Sequence, residues 1–277
     1  MQKHNMFLSL IIPGPDYPGK KISMYMEPLV DDLLHAWEHG VQTYDRATKQ
    51  NFNMRVSYLF SFHDLPAYGI FCGWCVHGKM PCPVCMEVLK GRRLKFGGKY
   101  SFFDCHRQFL PHDHIFRNDL NSFLANTTVT TEPPRRFKTE EVHVRLQRLQ
   151  PAANGEGFEG YGEDHNWTHI PGLWRLPYFH KLVLPHNIDV MHNEKNVAEA
   201  IFNTCFNIPE KTKDNVKAQL DQAILCNRPD LNMIRRQTSG QWLKPRADFC
   251  LNRTQKKEIV EWFQTLKFPD GYGSNLR

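Results

Sequence analysis

No stretch of this 277-residue chain approaches the roughly 18 uninterrupted apolar residues of a membrane-spanning helix, so no membrane span is expected. Cysteine is too sparse, at eight residues, for a disulfide-stapled secreted scaffold. The start of the chain has no charged region leading into a long apolar core and a small-residue cleavage site. Its apolar-leaning stretch, Phe7 to Ile12, stops at Pro13-Gly14. These absences predict an intracellular protein held in a reducing compartment. There is no internal repeat. Neither charge sign dominates: the formal net charge is +6, which tolerates a polyanionic partner without demanding one. With 41% hydrophobic and 23% charged residues, a globular core is feasible and global disorder is excluded.

What is present is an order of elements. Met6 to Ile12 reads as a buried strand ended by Pro13-Gly14-Pro15. Ser23 is placed to cap a helix in which Met26, Leu29, Val30, Leu33, Leu34 and Trp37 recur at helical spacing, with Gly40 closing it. Phe52 to Phe62 is a second predicted strand, running on to His63. Strand, helix, strand argues an α/β layer over residues 1–70. Residues 71–118 are rich in Gly, Cys and His with little periodicity, as in a small loop-rich module held by a metal. Residues 119–170 read as a linker carrying Pro133-Pro134, a short helix from Thr139 to Leu149, and a glycine-spaced mobile loop from Pro151 to His165. Residues 171–277 are mostly helical. There, Asn187 or Asp189 caps a helix to Phe206, and amphipathic helices follow at Asp214–Cys226 and Thr254–Leu266, the last capped by Thr254.

Four groups of residues carry candidate chemistry. Asp64 ends the second strand, and a carboxylate at a strand end is a rigid seat for a magnesium ion. Two-metal phosphoryl transfer needs about three such acids, however. The competing reading is that Asp64 opens the turn Asp64-Leu65-Pro66. Cys82 and Cys85 form a Cys-x-x-Cys pair, which supplies two zinc ligands on one tight turn. Cys72-Gly73-Trp74-Cys75 offers a second pair, but only six residues separate the two. Cys105 with His106, or His112 with His114, are alternatives, as are buried free thiols with no metal at all. His186, Asp189, His192 and Glu194 gather metal-ligand chemistry at a helix start, where a capping aspartate beside core-edge histidines is the plainer explanation. Arg92, Arg93 and Lys95, and separately Arg135-Arg136-Phe137-Lys138, are basic spots that touch phosphates or simply face water.

At these residues the chain resembles the transposases of plant En/Spm-type (CACTA) DNA transposons. The matching stretches include Leu10-Ile11-Ile12-Pro13-Gly14-Pro15, Gly40-Val41-Gln42-Thr43-Tyr44-Asp45, His63-Asp64-Leu65-Pro66-Ala67-Tyr68-Gly69 and Cys82-Pro83-Val84-Cys85-Met86. Phe103-Asp104-Cys105-His106-Arg107, His186-Asn187-Ile188-Asp189-Val190-Met191-His192 and Lys267-Phe268-Pro269-Asp270-Gly271-Tyr272 continue them. The resemblance implies a nuclear protein with a ribonuclease H-like core, an Asp-Asp-Glu triad and magnesium, acting on transposon-end DNA with transposase partner subunits. Asp64 matches the second acid of that triad, and Cys82 with Cys85 half of a structural zinc site. The family's first aspartate lies upstream of the Phe7 strand, so the expectation is an incomplete ribonuclease H-like core with a cysteine/histidine-rich zinc-type insertion and a helical C-terminal part. The triad glutamate and a histidine pair are expected beyond Arg277. Glu194 is the in-chain alternative for the glutamate, and His186 with His192 for the zinc ligands. Cys72 and Cys75 stand where the family more often has small hydroxyl residues, which sets them aside as ligands. Alone, such a chain is expected to be inert as a nuclease. The alternative is a zinc-stabilised module that still binds DNA or a transposase subunit.

Overall fold

Residues 8–16, 18–103, 105–119, 121–123 and 129–267 are described by a computed structural model. Clustering of contacts divides the chain into two units, residues 1–91 with 132–189 and residues 92–131 with 190–277. Each excursion therefore returns to the unit it left.

In the first unit, α1 (Ile22–Glu38) turns Val30 into a small core with Leu173, Leu176 and Phe179, joined by Leu33 and Leu34. Burying such aliphatic and aromatic side chains gives about 1.5–3 kcal/mol each. Its N-cap is Lys21 with no capping side chain, so Ser23 lies inside the first turn rather than at the cap. β1 (Val41–Asp45) and β2 (Gln50–Met54) form an antiparallel hairpin in which Val41 faces Met54 and Asp45 faces Gln50. Asp45 shapes its turn by accepting from Ala47 N at 2.9 Å and Thr48 Oγ1 at 2.6 Å. The strand expected over Phe52–His63 is thus two elements, because residues 55–60 leave the ladder and pairing resumes only at β3 (Ser61–His63). The strand expected at Met6–Ile12 is also corrected. Met6 and Phe7 lie outside the described residues, and Leu8 to Ile12 are in no strand, with Leu8 73% exposed.

β3 pairs in parallel with β6 (His186–Ile188), Ser61 facing His186 and His63 facing Ile188. Between them lies α2 (Leu65–Cys72), where little periodicity was expected. Gly73 ends α2 at φ +73°, and a Cβ there would stand 2.1 Å from His169 O, so only glycine fits. α3 (Thr139–Gln147) contributes Leu146 to a second core with Trp74, Met80, Met86 and Trp167. Within residues 171–184 the chain makes 3-10 turns at Gly172–Arg175 and Phe179–Lys181. The glycine-spaced stretch from Pro151 to His165 is closed by hydrogen-bonded turns, among them Ala152 N to Gly157 O at 3.1 Å.

The second unit contains hairpin β4 (Arg92–Arg93) with β5 (Tyr100–Ser101), then α4 (Val190–Cys205), α5 (Val216–Leu225), hairpin β7 (Ile234–Arg235) with β8 (Trp242–Leu243), and α6 (Arg253–Thr265). The cap of α6 is Asn252, in a reciprocal box with Gln255, and Thr254 sits inside the helix. A buried cation organises the 105–131 segment. Arg117, 1% exposed, donates five hydrogen bonds to the carbonyls of Gln108, Leu110, Val129 and Thr131. Among the described residues every sheet is two-stranded.

A candidate acid pair at parallel strand ends and a thiol turn

The parallel pairing of β3 with β6 brings together residues far apart in sequence. His63 faces Ile188, and His63 O accepts from Asp189 N at 2.9 Å. The next residues in register are Asp64 and Asp189, one acid at the C-terminal end of each strand. Asp64 is both a strand-end acid and the N-cap of α2: its Oδ1 accepts from Ala67 N at 2.9 Å, and Pro66 occupies the first turn. Asp64 thus stands at the end of β3 and opens the turn into α2, as the turn reading expected. Oxygen donors at strand ends suit a hard cation such as magnesium.

Behind the acids lie aromatic rings and imidazoles. His186 stacks on Tyr68 with ring centroids 3.4 Å apart and on His63 at 5.4 Å. Burial, reinforced by the neighbouring His63, pulls the His186 pKa down to about 4, and burial also lowers that of His63. His186 Nε2 and His63 Nδ1 are buried without a hydrogen-bond partner among the described residues. Neutral imidazole nitrogens of this kind are metal-ligand groups. His63 and Tyr68 were not singled out from the sequence; the readable signal was the His63-Asp64 dipeptide at a strand end.

The cysteine loop is built first by neutral hydrogen bonds. Trp74 Nε1 donates to Met80 O at 2.8 Å, and the buried Asn166 amide donates to the carbonyls of Cys75, His77 and Met80. This frame ends in the Cys82–Cys85 turn, where Met86 N bonds to Cys82 O at 2.8 Å and Cys85 N to Cys82 Sγ at 3.3 Å. The Cys85 thiol and the backbone N–H groups of Cys85 and Val84 draw the Cys82 pKa down to about 6, against burial, while Cys85 is pushed up as the proton holder. Burial pushes the Cys72 thiol up to about 12, and its Sγ bonds to Gly69 O, the behaviour of a packed thiol. Cys82 and Cys85 supply two thiol donors of the kind zinc takes, and no third ligand converges on them among the described residues.

Other expected residues fall elsewhere. Cys105 and His106 lie in a 3-10 turn of the second unit, and His192 and Glu194 lie on α4 in that unit, whereas Asp64, Cys82, Cys85 and His186 belong to the first. Among the described residues, no three His, Cys, Asp or Glu side chains converge as a metal-holding group. Arg92, Arg93 and Lys95 lie on the β4 hairpin of the second unit, with Arg93 and Lys95 exposed.

A family profile described as "Transposase family tnp2" matches residues 1–149, more than half of the chain, and the chain belongs to that family. No curated protein and no solved structure matches it. No described helix is long and apolar enough to cross a membrane.

Proposed function

We propose that this chain is a part of a plant En/Spm-type (CACTA) transposase that binds DNA and contributes Asp64 to a magnesium-dependent Asp-Asp-Glu centre for cutting and joining transposon ends. The core so proposed is ribonuclease H-like, and the setting is nuclear. The observation that carries the reading is the register of β3 and β6, which sets Asp64 and Asp189 side by side at parallel strand ends. Magnesium there would stabilise charge on the phosphoryl oxygens and activate the attacking hydroxyl. The chain's own contribution is to hold the acids rigidly: α2 fixes Asp64 through its cap, and the His63 carbonyl fixes the backbone at Asp189.

Two acids do not hold two ions, and the described residues bring no third beside them. The chain alone is therefore expected to bind DNA without cutting it. Incubating purified chain with supercoiled plasmid and magnesium tests this. Intact plasmid is the expected result. Nicking that disappears in Asp64→Asn would overturn the inert reading.

A second reading is favoured by the thiol turn: a zinc-stabilised binding module that contacts DNA or a transposase subunit. Zinc would be held by Cys82 and Cys85, and would fix the 73–88 loop. Metal analysis of protein purified without chelator should find about one zinc per chain, lost in Cys82→Ser. Metal-free protein with an unchanged fold would remove the zinc assignment.

A further inference from the structure

The two short hairpins of the second unit are built to one plan. In the first, Leu94 N donates to Lys99 O at 2.8 Å and Gly98 N to Leu94 O at 3.2 Å. In the second, Arg236 N donates to Gln241 O at 2.9 Å and Gly240 N to Arg236 O at 3.0 Å. Gly98 and Gly240 both have φ +66°. The pairing matches too: Arg93 faces Tyr100 and Arg235 faces Trp242, an arginine opposite an aromatic in each ladder. Neither segment, 90–103 or 232–246, contains an acidic residue. Arg93, Lys95, Lys99, Arg235 and Arg236 are exposed and, among the described residues, pair with no carboxylate.

Both hairpins are anchored to α5 by buried aspartates. Asp221, 4% exposed, accepts from Phe96 N at 2.8 Å and Gly97 N at 2.7 Å and so grips the first turn. Asp214, just ahead of α5, takes Lys244 Nζ at 2.6 Å at the foot of the second hairpin, and Gln219 Nε2 supports it from the helix. Asp221 lies within α5, and Asp214 immediately precedes its N-cap Asn215. Internal carboxylates thus hold the backbone and base of each hairpin while its guanidinium and ammonium groups point to solvent. A randomly solvated charge run has no need of such anchors.

We infer that the hairpins 92–101 and 234–243 are a pair of prongs, carried on α5, that grip the phosphate backbone of duplex DNA. This rests on the DNA-binding reading above and assigns it to named residues. The cations lie along two-stranded ribbons, a shape that follows a phosphate path, and contacts to phosphate position a protein without reading sequence.

The test is binding of the full chain to a fluorescein-labelled random-sequence duplex, followed by anisotropy across a salt series. The wild-type affinity should fall steeply with salt. Arg93→Gln/Lys95→Gln/Lys99→Gln should reduce the slope of log affinity against log salt by about 2–3, and Arg235→Gln/Arg236→Gln by about 1–2. The control Lys195→Gln/Lys211→Gln/Lys257→Gln removes three positive charges, at least as many as either hairpin variant, from elsewhere in the unit and should leave the slope near wild type. Hairpin variants that behave like the control would overturn the assignment and leave the DNA-binding reading standing. A wild-type chain that ignores DNA at every salt concentration would end both. A measurement needing no variant runs alongside: bound duplex should protect Lys95 and Lys99 from amine acetylation, and equal labelling with and without DNA counts against the prongs.

Discussion

The two units bury polar groups in different ways. In the second, buried charges are answered from within the protein: Arg107 by the Phe116 carbonyl, Arg117 by four backbone carbonyls, Asp221 by two backbone N–H groups, and Asp214 by Lys244 and Gln219. In the first, buried imidazoles keep nitrogens without partners, and a thiolate-prone cysteine sits on a turn shaped by a neutral amide and an indole. A buried polar group that is fully bonded stabilises a scaffold, whereas one left open is poised for a ligand. Buried side-chain atoms without a partner occur in both units, at Gln108, Gln219 and Gln222 in the second and at His63, His169 and His186 in the first; what sets the first apart is that its open groups include imidazole nitrogens.

The strongest way to break that contrast is at Arg117. Arg117→Met strips the hydrogen bonds from four carbonyls inside the second unit and should cost about 3–5 kcal/mol. Hydrogen exchange should show amides of residues 105–119 losing protection while those of α2 keep theirs; equal loss in both units would show that they do not behave separately. Next in size is Gly73→Ala in the first unit. The added methyl meets His169 O at a backbone of positive φ, for about 2–3 kcal/mol, and exchange should rise around residues 72–75 and 166–169.

A smaller effect sharpens the claim that the first unit holds the reactive groups. In metal-free protein, Cys82 should alkylate with a midpoint near pH 6, and Cys85→Ser should raise that midpoint, because the Cys85 thiol is the largest cause of the depression. A Cys82 midpoint in the ordinary thiol range, near 8.5, would contradict the turn geometry. The smallest effect is on thermal stability in chelator. His186 has a folded pKa near 4 against an ordinary 6.5, so the unfolded chain binds more protons between these values. Its neutral form is fully compatible with the fold above pH 6.5, and stability should decline as pH falls from 6.5 towards 4. His186→Gln should flatten part of that decline, by a few degrees in Tm; an unchanged slope would mean the imidazole is not held neutral by burial.

Much of the helical part was legible from the sequence. The apolar period of α1, the acidic first turn of α3 and the amphipathic runs of α4, α5 and α6 are local signals, and all five elements stand within a few residues of their expected places. The strands were harder. Phe52 to His63 is continuously strand-like in composition, and nothing local says that residues 55–60 leave the ladder. The Asp45 turn was a readable signal for the hairpin, and Asp64 followed by Pro66 was one for the cap of α2. The acid pair at Asp64 and Asp189 depends on a parallel register across more than a hundred residues, which no local pattern encodes. The grip of Asp221 on Phe96 and Gly97 is equally remote, so the basic spot at Arg92, Arg93 and Lys95 looked like a loose charge run. The helices were written locally; the long-range partners were not.

The most direct test of the central claim, that Asp64 and Asp189 form a cation seat, is iron-mediated backbone cleavage. Ferrous ion in place of magnesium, with ascorbate and peroxide, should cut the folded chain near residues 61–66 and 186–191, and excess magnesium or Asp64→Asn should suppress both cuts together. Cuts that persist in Asp64→Asn, or none at either strand end, would contradict the account.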